Sequence, residues 1–215
     1  MNIAIDGPAG SGKSTVAKRL AKGLSFIYVD TGALYRAMAL YCLENDIDTK
    51  DKAKVSEAVN DMDIALKYER GTQIVLLNGR DVSGLIRTEE VSKNTSVISA
   101  YPKVREKLLG IQQDIAKKND VIMDGRDIGT NVLPGAELKI FLTASVKVRA
   151  KRRYDELKER GEDADLYDIE KDIKERDERD TNRDIAPLRK AGDAIEIDTS
   201  SMTIDEVTKK IREMV

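Results

Sequence analysis

The segment from Gly7 to Thr15, GPAGSGKST, has the residue types and the spacing needed to bind phosphate groups. It matches the pattern Gly-x-x-x-x-Gly-Lys-Ser, with Gly7, Gly12, Lys13 and Ser14 at the required offsets. Glycines let successive backbone N–H groups converge on an anion, the lysine reaches the outer phosphates, and the serine hydroxyl can bind Mg²⁺. The pattern therefore predicts a site for a nucleoside triphosphate.

The residues on either side of this segment supply the structural context that the pattern needs. Asn2 to Asp6 indicates a short buried strand, and Val16, Leu20 and Leu24 recur at helical spacing. A helix that begins directly after the glycines adds its partial positive charge to the phosphate site. The alternative is a glycine-rich turn that only starts a helix, and the strand and helix on the two sides disfavour it.

An aspartate and two arginines could complete the phosphate chemistry. Asp124 ends the apolar run VIMD, where a carboxylate can hold Mg²⁺ directly or through water. Arg126 follows in DGRD, at the end of the strand where ligands bind in parallel sheets. Arg36 lies off the apolar stripe of its predicted helix, a place where a lone arginine is ordinarily solvated.

Two groups of arginines each share one helical face by their spacing. They are Arg149, Arg152 and Arg153, and Arg176, Arg179 and Arg183. Such groups usually belong to surface helices with acidic partners. Beside a triphosphate site they can instead neutralise phosphate charge from several sides.

The composition narrows the chemistry further. The 215 residues contain no histidine, which excludes Ser-His-Asp triads, His-Glu-x-x-His metal sites and histidine general bases. The net charge of −2 disfavours a nucleic-acid or membrane footprint, and no apolar run approaches the length of a membrane span. Because strand residues follow Met1 at once, we expect no signal peptide. The single cysteine, Cys42, fits a core position. We expect a cytoplasmic protein whose chemistry depends on charge and positioning.

Five apolar runs alternate with helical patterns, which predicts an α/β fold with a parallel sheet. The runs are Asn2 to Asp6, Ser25 to Asp30, Val121 to Asp124, Leu138 to Leu142 and Ala194 to Asp198.

Two further segments do not belong to this alternation. Residues 61–97 show strand-like alternation with the hairpin signal Asn78-Gly79, which predicts a small antiparallel insert. The charge-dense stretch from Ser145 to Arg183 predicts two helices broken near Gly161.

Five segments, in order along nearly the whole chain, resemble the bacterial cytidylate kinase family: IDGPAGSGKST, VDTGALYR, YPKVR, DGRDIGT and ERDERDTNRDIAPL. The resemblance implies a P-loop kinase with a five-stranded parallel sheet flanked by helices, a small antiparallel NMP-binding insert and a helical lid. It places the kinase core at residues 1–60 and 98–215, the lid at about 155–178 and the insert at 61–97.

The resemblance also implies an activity, namely transfer of the γ-phosphoryl group of ATP to CMP or dCMP with Mg²⁺, which yields ADP and CDP or dCDP. ATP would be bound by Gly7, Pro8, Ala9, Gly10, Ser11, Gly12, Lys13, Ser14 and Thr15, together with Arg149. Arg149 and Arg153 resemble the pair at the base of the lid that meets adenine and the triphosphate, and Arg152 is the alternative partner. Mg²⁺ would be held by Ser14 and Asp124.

The acceptor residues follow from the same motifs. Arg36, Arg126 and Arg183 resemble the clamp on the acceptor phosphate. Arg176 and Asp180 would face the ribose, and Ser96, Arg105 and Asp127 would read the cytosine. Tyr35 would pack against the acceptor, and Thr31 stands where the family often has serine. Lys13, Arg126, Arg183 and Arg153 are the predicted catalytic residues.

Several other functions compete with this interpretation. A kinase for another monophosphate such as UMP, or for a small metabolite, would share the phosphate loop. A regulatory GTPase would need an Asn-Lys-x-Asp segment, which the chain lacks. A helicase or packaging module is disfavoured by the small size and acidic balance. We expect small-molecule partners only, no nucleic acid or membrane, and a monomer.

Overall fold

The computed structural model describes residues 1–69 and 71–215. The strands are β1 Asn2–Asp6, β2 Ile27–Asp30, β3 Ile64–Glu69, β4 Thr72–Leu77, β5 Arg80–Asp81, β6 Val121–Gly125, β7 Leu138–Thr143 and β8 Ile195–Asp198. The α-helices are α1 Lys13–Leu24, α2 Thr31–Glu44, α3 Lys52–Ala58, α4 Glu89–Ile98, α5 Pro102–Lys118, α6 Val146–Glu159, α7 Leu166–Asn182 and α8 Ile204–Arg212. A 3₁₀ turn at Val59–Asp61 and a π-helical turn at Ile128–Val132 complete the elements.

The main sheet has five strands in the order β2-β6-β1-β7-β8. β7 runs parallel to β1, with Ile140 opposite Ile5, and parallel to β8, with Ile140 opposite Ile195. The predicted α/β fold with a five-stranded parallel sheet and flanking helices is therefore confirmed. Its strand ends carry the motifs singled out above, because parallel strands bring their carboxyl ends to one edge.

The described residues form two compact units by their internal contacts. The terminal unit contains Met1–Phe26 and Ile122–Val215, and the central unit contains Ile27–Val121. The boundaries expected from the sequence, a core at 1–60 and 98–215 with a lid and an insert, stay a prediction.

In the terminal unit, local sequence signals account for the helices. Val16 and Leu20 of α1 are buried, as the helical spacing predicts. α8 begins with a capping box in which Thr203 and Glu206 satisfy each other's backbone N–H groups. The break predicted near Gly161 is also confirmed, since α6 ends at Glu159 and Gly161 has a left-handed φ of 74°.

In the central unit, β3, β4 and β5 form a three-stranded antiparallel sheet. Asn78 and Gly79 join β4 to β5 with φ of 49° and 78°, the positive values that a tight hairpin turn requires. The predicted hairpin is therefore confirmed. Large apolar side chains close the core of this unit; Leu34, Met38, Met62, Ile98 and Leu108 are wholly buried.

Two predictions for these elements need correction. The strand predicted from Ser25 begins at Ile27, because Ser25 caps α1 in a left-handed conformation with φ of 59°. The segment predicted as a small antiparallel insert, residues 61–97, also contains most of helix α4. Thr88 starts it by accepting a hydrogen bond from the Val91 N–H.

No helix within residues 1–69 and 71–215 combines the length and the apolar character needed to cross a lipid bilayer.

Candidate active site

The phosphate loop connects β1 to α1 in a conformation that depends on glycine. Gly7 has a φ of 144°, and a Cβ built there would lie 1.9 Å from the carbonyl oxygen of Leu142. Only a residue without a side chain lets the loop pass this close to β7. Gly12 precedes the first turn of α1 with a φ of 92°. The predicted strand, glycine loop and helix are therefore all present.

Lys13 is buried at the start of α1, and its ammonium group is held by the loop itself. Nζ donates to the carbonyl of Pro8 at 2.6 Å and lies 3.4 Å from the hydroxyl of Ser11. Burial, and then the positive charge of Arg126, hold the pKa of Lys13 well below its usual value. A cation in such surroundings is stabilised by an incoming anion, as a phosphate-binding lysine should be.

Ser14 and Asp124 lie together, as the two motifs predicted. The Ser14 hydroxyl donates to Asp124 Oδ2 at 2.8 Å. Mg²⁺ takes oxygen ligands, usually from one or two protein groups, with phosphates and waters completing the octahedron. This pair fits that requirement. Among the residues that the structure describes, no group of three or more histidine, cysteine or carboxylate side chains could hold a metal ion. Phosphates and waters would therefore have to supply the remaining ligands.

Two buried ion pairs follow strand β6 in the terminal unit. Arg126 Nε donates to Asp180 Oδ2 at 3.0 Å, and Arg183 Nη2 donates to Asp127 Oδ1 at 3.2 Å. Both carboxylates are buried. These four residues were predicted from separate motifs, DGRD and RDERDTNR, and the structure brings them together.

The surroundings of Asp180 show how concentrated the positive charge is. Burial by itself would raise the pKa of the Asp180 carboxyl. Three guanidinium groups outweigh that effect and hold the pKa below its usual value; they belong to Arg126, Arg176 and Arg183. Arg176 and Arg126 also act electrostatically on Lys13 of the phosphate loop.

Asp6 joins the end of β1 to the segment that carries Arg126. Its carboxylate accepts hydrogen bonds from the N–H groups of Ile128 at 2.8 Å and Gly129 at 2.7 Å. Burial raises the pKa of Asp6 to about 6, against the opposing effect of these two bonds. The residue thereby fixes the turn that follows DGRD.

The predicted arginines of α6 have three different environments. Arg149 is 3% exposed, and its Nη1 and Nη2 form a bidentate pair with the Asp177 carboxylate of α7. Arg149 Nη1 also donates to the carbonyl of Ala9 in the phosphate loop at 3.1 Å. Arg152 donates to Thr199, and Arg153 pairs with Glu156 on the surface of α6. The structure therefore places Arg149 at the loop and does not bring Arg153 to it.

Within the central unit, Arg36 is bound to the carboxylate that caps its own helix. Asp30 accepts from the N–H of Ala33 at 3.0 Å and from Arg36 Nη2 at 2.7 Å. Arg87 Nη2 lies 3.4 Å from Asp30 Oδ2, the oxygen that also accepts from Arg36. Arg36 Nε is buried and makes no hydrogen bond within the described residues.

The remaining predicted acceptor residues also belong to the central unit. The guanidinium of Arg105 lies 5.7 Å from the centre of the Tyr35 ring, and Arg105 is 6% exposed. The Ser96 hydroxyl is buried and has no hydrogen-bond partner in the described part of the chain. Thr31 is buried as the first residue of α2.

A family model described as "Cytidylate kinase" matches residues 3–215. The chain belongs to the cytidylate kinase family. Curated cytidylate kinases from Lactobacillus gasseri and Caldicellulosiruptor bescii are 54% and 53% identical to this family member, with 100% of this chain covered and 94% and 95% of theirs. The cytidylate kinase of Bacillus cereus strain G9842 is 48% identical, with 100% and 96% coverage. The resemblance stated from the sequence is confirmed, and the chain is a nucleoside monophosphate kinase that uses ATP.

A solved structure of an uncharacterized protein from Eubacterium ventriosum resembles this family member in fold alone. The TM-score is 0.53 at 16% sequence identity, with 100% of this chain and 97% of that chain covered.

Several residues that lie close to predicted site residues within their own unit were not themselves predicted from the sequence. They are Asp6, Asp30, Arg87, Asp177 and Thr199. Asp177 had a signal, because it lies three residues before Asp180 in the same motif and so shares its helical face. Asp30 directly precedes a helix, where aspartate is a preferred cap. Thr199 had no signal in the sequence, because its hydrogen-bond partners are distant along the chain.

Proposed function

We propose that this chain transfers the γ-phosphoryl group of ATP to CMP or dCMP with the residues assigned above. The observation that carries the proposal is the concentration of cations at the phosphate loop. The positive charge of Arg126 acts on Lys13, and the buried carboxylate of Asp180 is stabilised by Arg126 together with Arg176 and Arg183. Joining two phosphates requires this kind of charge neutralisation from several sides.

The reaction needs no general base. The acceptor is a phosphate monoester, whose second pKa near ~6 leaves it ionised at neutral pH. The chain contains no histidine, and the positioned cations are the groups it offers. Lys13 would hold the transferring phosphoryl group, while Arg36, Arg126 and Arg183 would orient the acceptor phosphate. Positioning and electrostatic stabilisation then supply the rate enhancement.

Mg²⁺ is part of this proposal because Ser14 and Asp124 fit it. Their two oxygens are hydrogen-bonded at 2.8 Å, at the N-terminus of α1 and the end of β6. When bound, the ion neutralises charge on the β- and γ-phosphates of ATP. The hydrogen bond to Asp124 also holds the Ser14 hydroxyl beside the carboxylate with which it would bind the ion.

The acceptor nucleoside would be read by the remaining predicted residues. Support comes from Ser96, whose buried hydroxyl has no partner within the described residues, an arrangement that costs free energy until a ligand bonds to it. Arg105, supported on Tyr35, and Asp127 would complete the contacts to cytosine. Arg176 and Asp180 would face the ribose.

The donor side would include α6 and α7. Arg149 contacts the loop carbonyl of Ala9 and joins the two helices through Asp177. We assign Arg149 to the triphosphate and keep Arg153 as its lid partner, with residues of about 155–178 closing over ATP to exclude water. The cytoplasmic location and the monomeric state expected from the sequence stay predictions.

Replacing each acceptor arginine tests these roles. Arg36→Ala, Arg126→Ala and Arg183→Ala should each lower kcat/KM for CMP by about ten- to a hundredfold, because a hydrogen bond to a charged group contributes about 1.5–3 kcal/mol. The KM for ATP should change less than about twofold. Steady-state kinetics with each substrate varied separately measures both.

Arg179→Ala is the matched control, since Arg179 is exposed on α7 and bonds only to the Glu175 carbonyl of its own helix within the described residues. If a variant loses affinity for ATP and keeps its affinity for CMP, that arginine binds the phosphate donor and not the acceptor.

A further inference from the structure

We propose that Thr199 and Arg152 are positioning residues that brace the phosphate loop and thereby set the affinity for ATP. The inference rests on the proposed function, because it concerns the same ATP site. Neither residue is assigned a contact with the nucleotide itself. Thr199 acts through the backbone carbonyl of Ser11 in the loop, and Arg152 acts through Thr199.

Thr199 occupies the point where β8 ends and the phosphate loop passes. It directly follows Asp198 and is 3% exposed. Its hydroxyl lies 3.2 Å from the carbonyl oxygen of Ser11 and 3.1 Å from that of Thr143, and it donates to both carbonyls in a shared hydrogen bond. Its N–H donates to the Thr143 carbonyl at 2.8 Å, which fixes the residue to β7.

Arg152 holds Thr199 from the other side. Its Nη1 donates to the Thr199 hydroxyl at 3.1 Å, and its Nη2 donates to the Thr199 carbonyl at 2.6 Å. Because the hydroxyl oxygen accepts from Arg152, its own proton points toward the carbonyls of Ser11 and Thr143. A charged donor also polarises the hydroxyl and strengthens the bond that it gives.

The geometry of the peptide bond explains why this contact matters for ATP. In a planar trans peptide, the carbonyl of one residue and the N–H of the next point in opposite directions. Holding the Ser11 carbonyl therefore fixes the direction of the Gly12 N–H. In loops of this type, backbone N–H groups are turned toward the phosphates. Lys13 follows immediately, so the brace also sets the start of α1.

The arrangement also separates the three arginines of α6. The Arg152 guanidinium is bonded to Thr199, whereas Arg149 contacts Ala9 and Asp177. We therefore assign Arg152 to the brace and not to the triphosphate.

The test compares two substitutions at one position by calorimetric titration with Mg·ATP in the absence of acceptor. Thr199→Val keeps the shape and removes the donor, so the Kd for ATP should rise about five- to tenfold, the factor that one hydrogen bond represents. Thr199→Ser restores the donor and should bring the Kd back to within about twofold. The KM for CMP at saturating ATP should stay within about twofold in both.

Thr208→Val is the matched control, because Thr208 donates to the Ile204 carbonyl within α8, away from the loop. It should leave the Kd for ATP unchanged. Arg152→Met removes both bonds to Thr199 and provides a second route if Thr199→Val does not fold; its Kd for ATP should rise at least about threefold.

A purely structural role predicts a different pattern. If Thr199→Val or the folded Arg152→Met lowers the melting temperature and leaves the Kd for ATP unchanged, the brace is overturned. Failure of the unaltered chain to bind ATP would overturn the proposed function together with the brace. If the unaltered chain binds ATP and the variants bind it with the same Kd, only the proposed role of Thr199 and Arg152 is overturned.

Discussion

Asp6 links the strand before the phosphate loop to the turn that follows DGRD, and its carboxylate is buried. Its pKa is raised to about 6, mainly by burial. In the unfolded chain an aspartate titrates near about 4. The folded protein therefore binds this proton more tightly than the unfolded chain does. The stabilisation that protonated Asp6 provides is complete below about pH 4 and is lost as the pH rises through about 6.

The non-titrating variant Asp6→Asn isolates this contribution. The free energy of unfolding of the unaltered chain, taken relative to Asp6→Asn, should fall by up to about 3 kcal/mol between pH 4 and pH 7. Urea unfolding of both proteins at a series of pH values measures the difference, and other titrating groups cancel. A difference that stays constant between pH 4 and pH 7 would show that the pKa of Asp6 is not raised in the folded protein.

Asp127 carries the prediction on base selectivity. It is buried and accepts from Arg183 and from the Asn131 amide at 3.2 Å. An ionised carboxylate only accepts hydrogen bonds, which suits the exocyclic amine of cytosine and repels the carbonyl oxygen of uracil. Asp127→Asn can donate, so the ratio of kcat/KM for CMP over UMP should shrink by about tenfold or more.

The exposed Asp184→Asn serves as the control for loss of one negative charge. If the ratio of kcat/KM for CMP over UMP is unchanged in Asp127→Asn, Asp127 does not recognise the base.

The residues that a motif names were predictable from the sequence, and those defined only by a distant partner were not. Lys13, Ser14 and Asp124 have contacts that follow from loop, helix and strand order. Asp6 and Thr199 act on backbone groups more than a hundred positions away. Nothing in their local sequence specifies those partners, because the partners are created by the sheet.

At the scale of elements, helices α6 and α7 show what spacing can and cannot predict. The two helices and their break were predicted from charge pattern and Gly161. The bidentate contact of Arg149 with Asp177 was not, because it depends on how the two helices pack. Helix α4 escaped prediction because its apolar positions are few, although Thr88 marked its start.

Closure of the predicted lid gives the test at this scale. Amides of residues 155–178 should exchange with solvent several-fold more slowly when a bisubstrate analogue joining ATP and CMP is bound. Amides of α8, Ile204–Arg212, serve as the internal reference and should change little. Hydrogen exchange followed by mass spectrometry measures both segments in one experiment. Equal exchange in free and bound protein would argue against a mobile lid.

At the scale of the whole molecule, the alternation of apolar runs and helices was enough to predict the parallel sheet. The strand order β2-β6-β1-β7-β8 was not deducible, since several orders satisfy the same alternation. Composition also had predictive value at this scale. A chain with no histidine and many arginines is restricted to chemistry that charge and positioning can perform, and phosphoryl transfer to an ionised phosphate is such a reaction.

The acceptor specificity of the whole enzyme is the central claim, and a coupled assay of ADP release tests it most directly. CMP, dCMP, UMP, AMP and GMP are each varied at saturating Mg·ATP. We predict the highest kcat/KM for CMP and dCMP, exceeding UMP by at least about tenfold and the purine nucleotides by more. ADP release without an acceptor should be negligible. A kcat/KM for UMP, AMP or GMP equal to that for CMP, or ADP release that does not depend on the acceptor, would contradict the assignment.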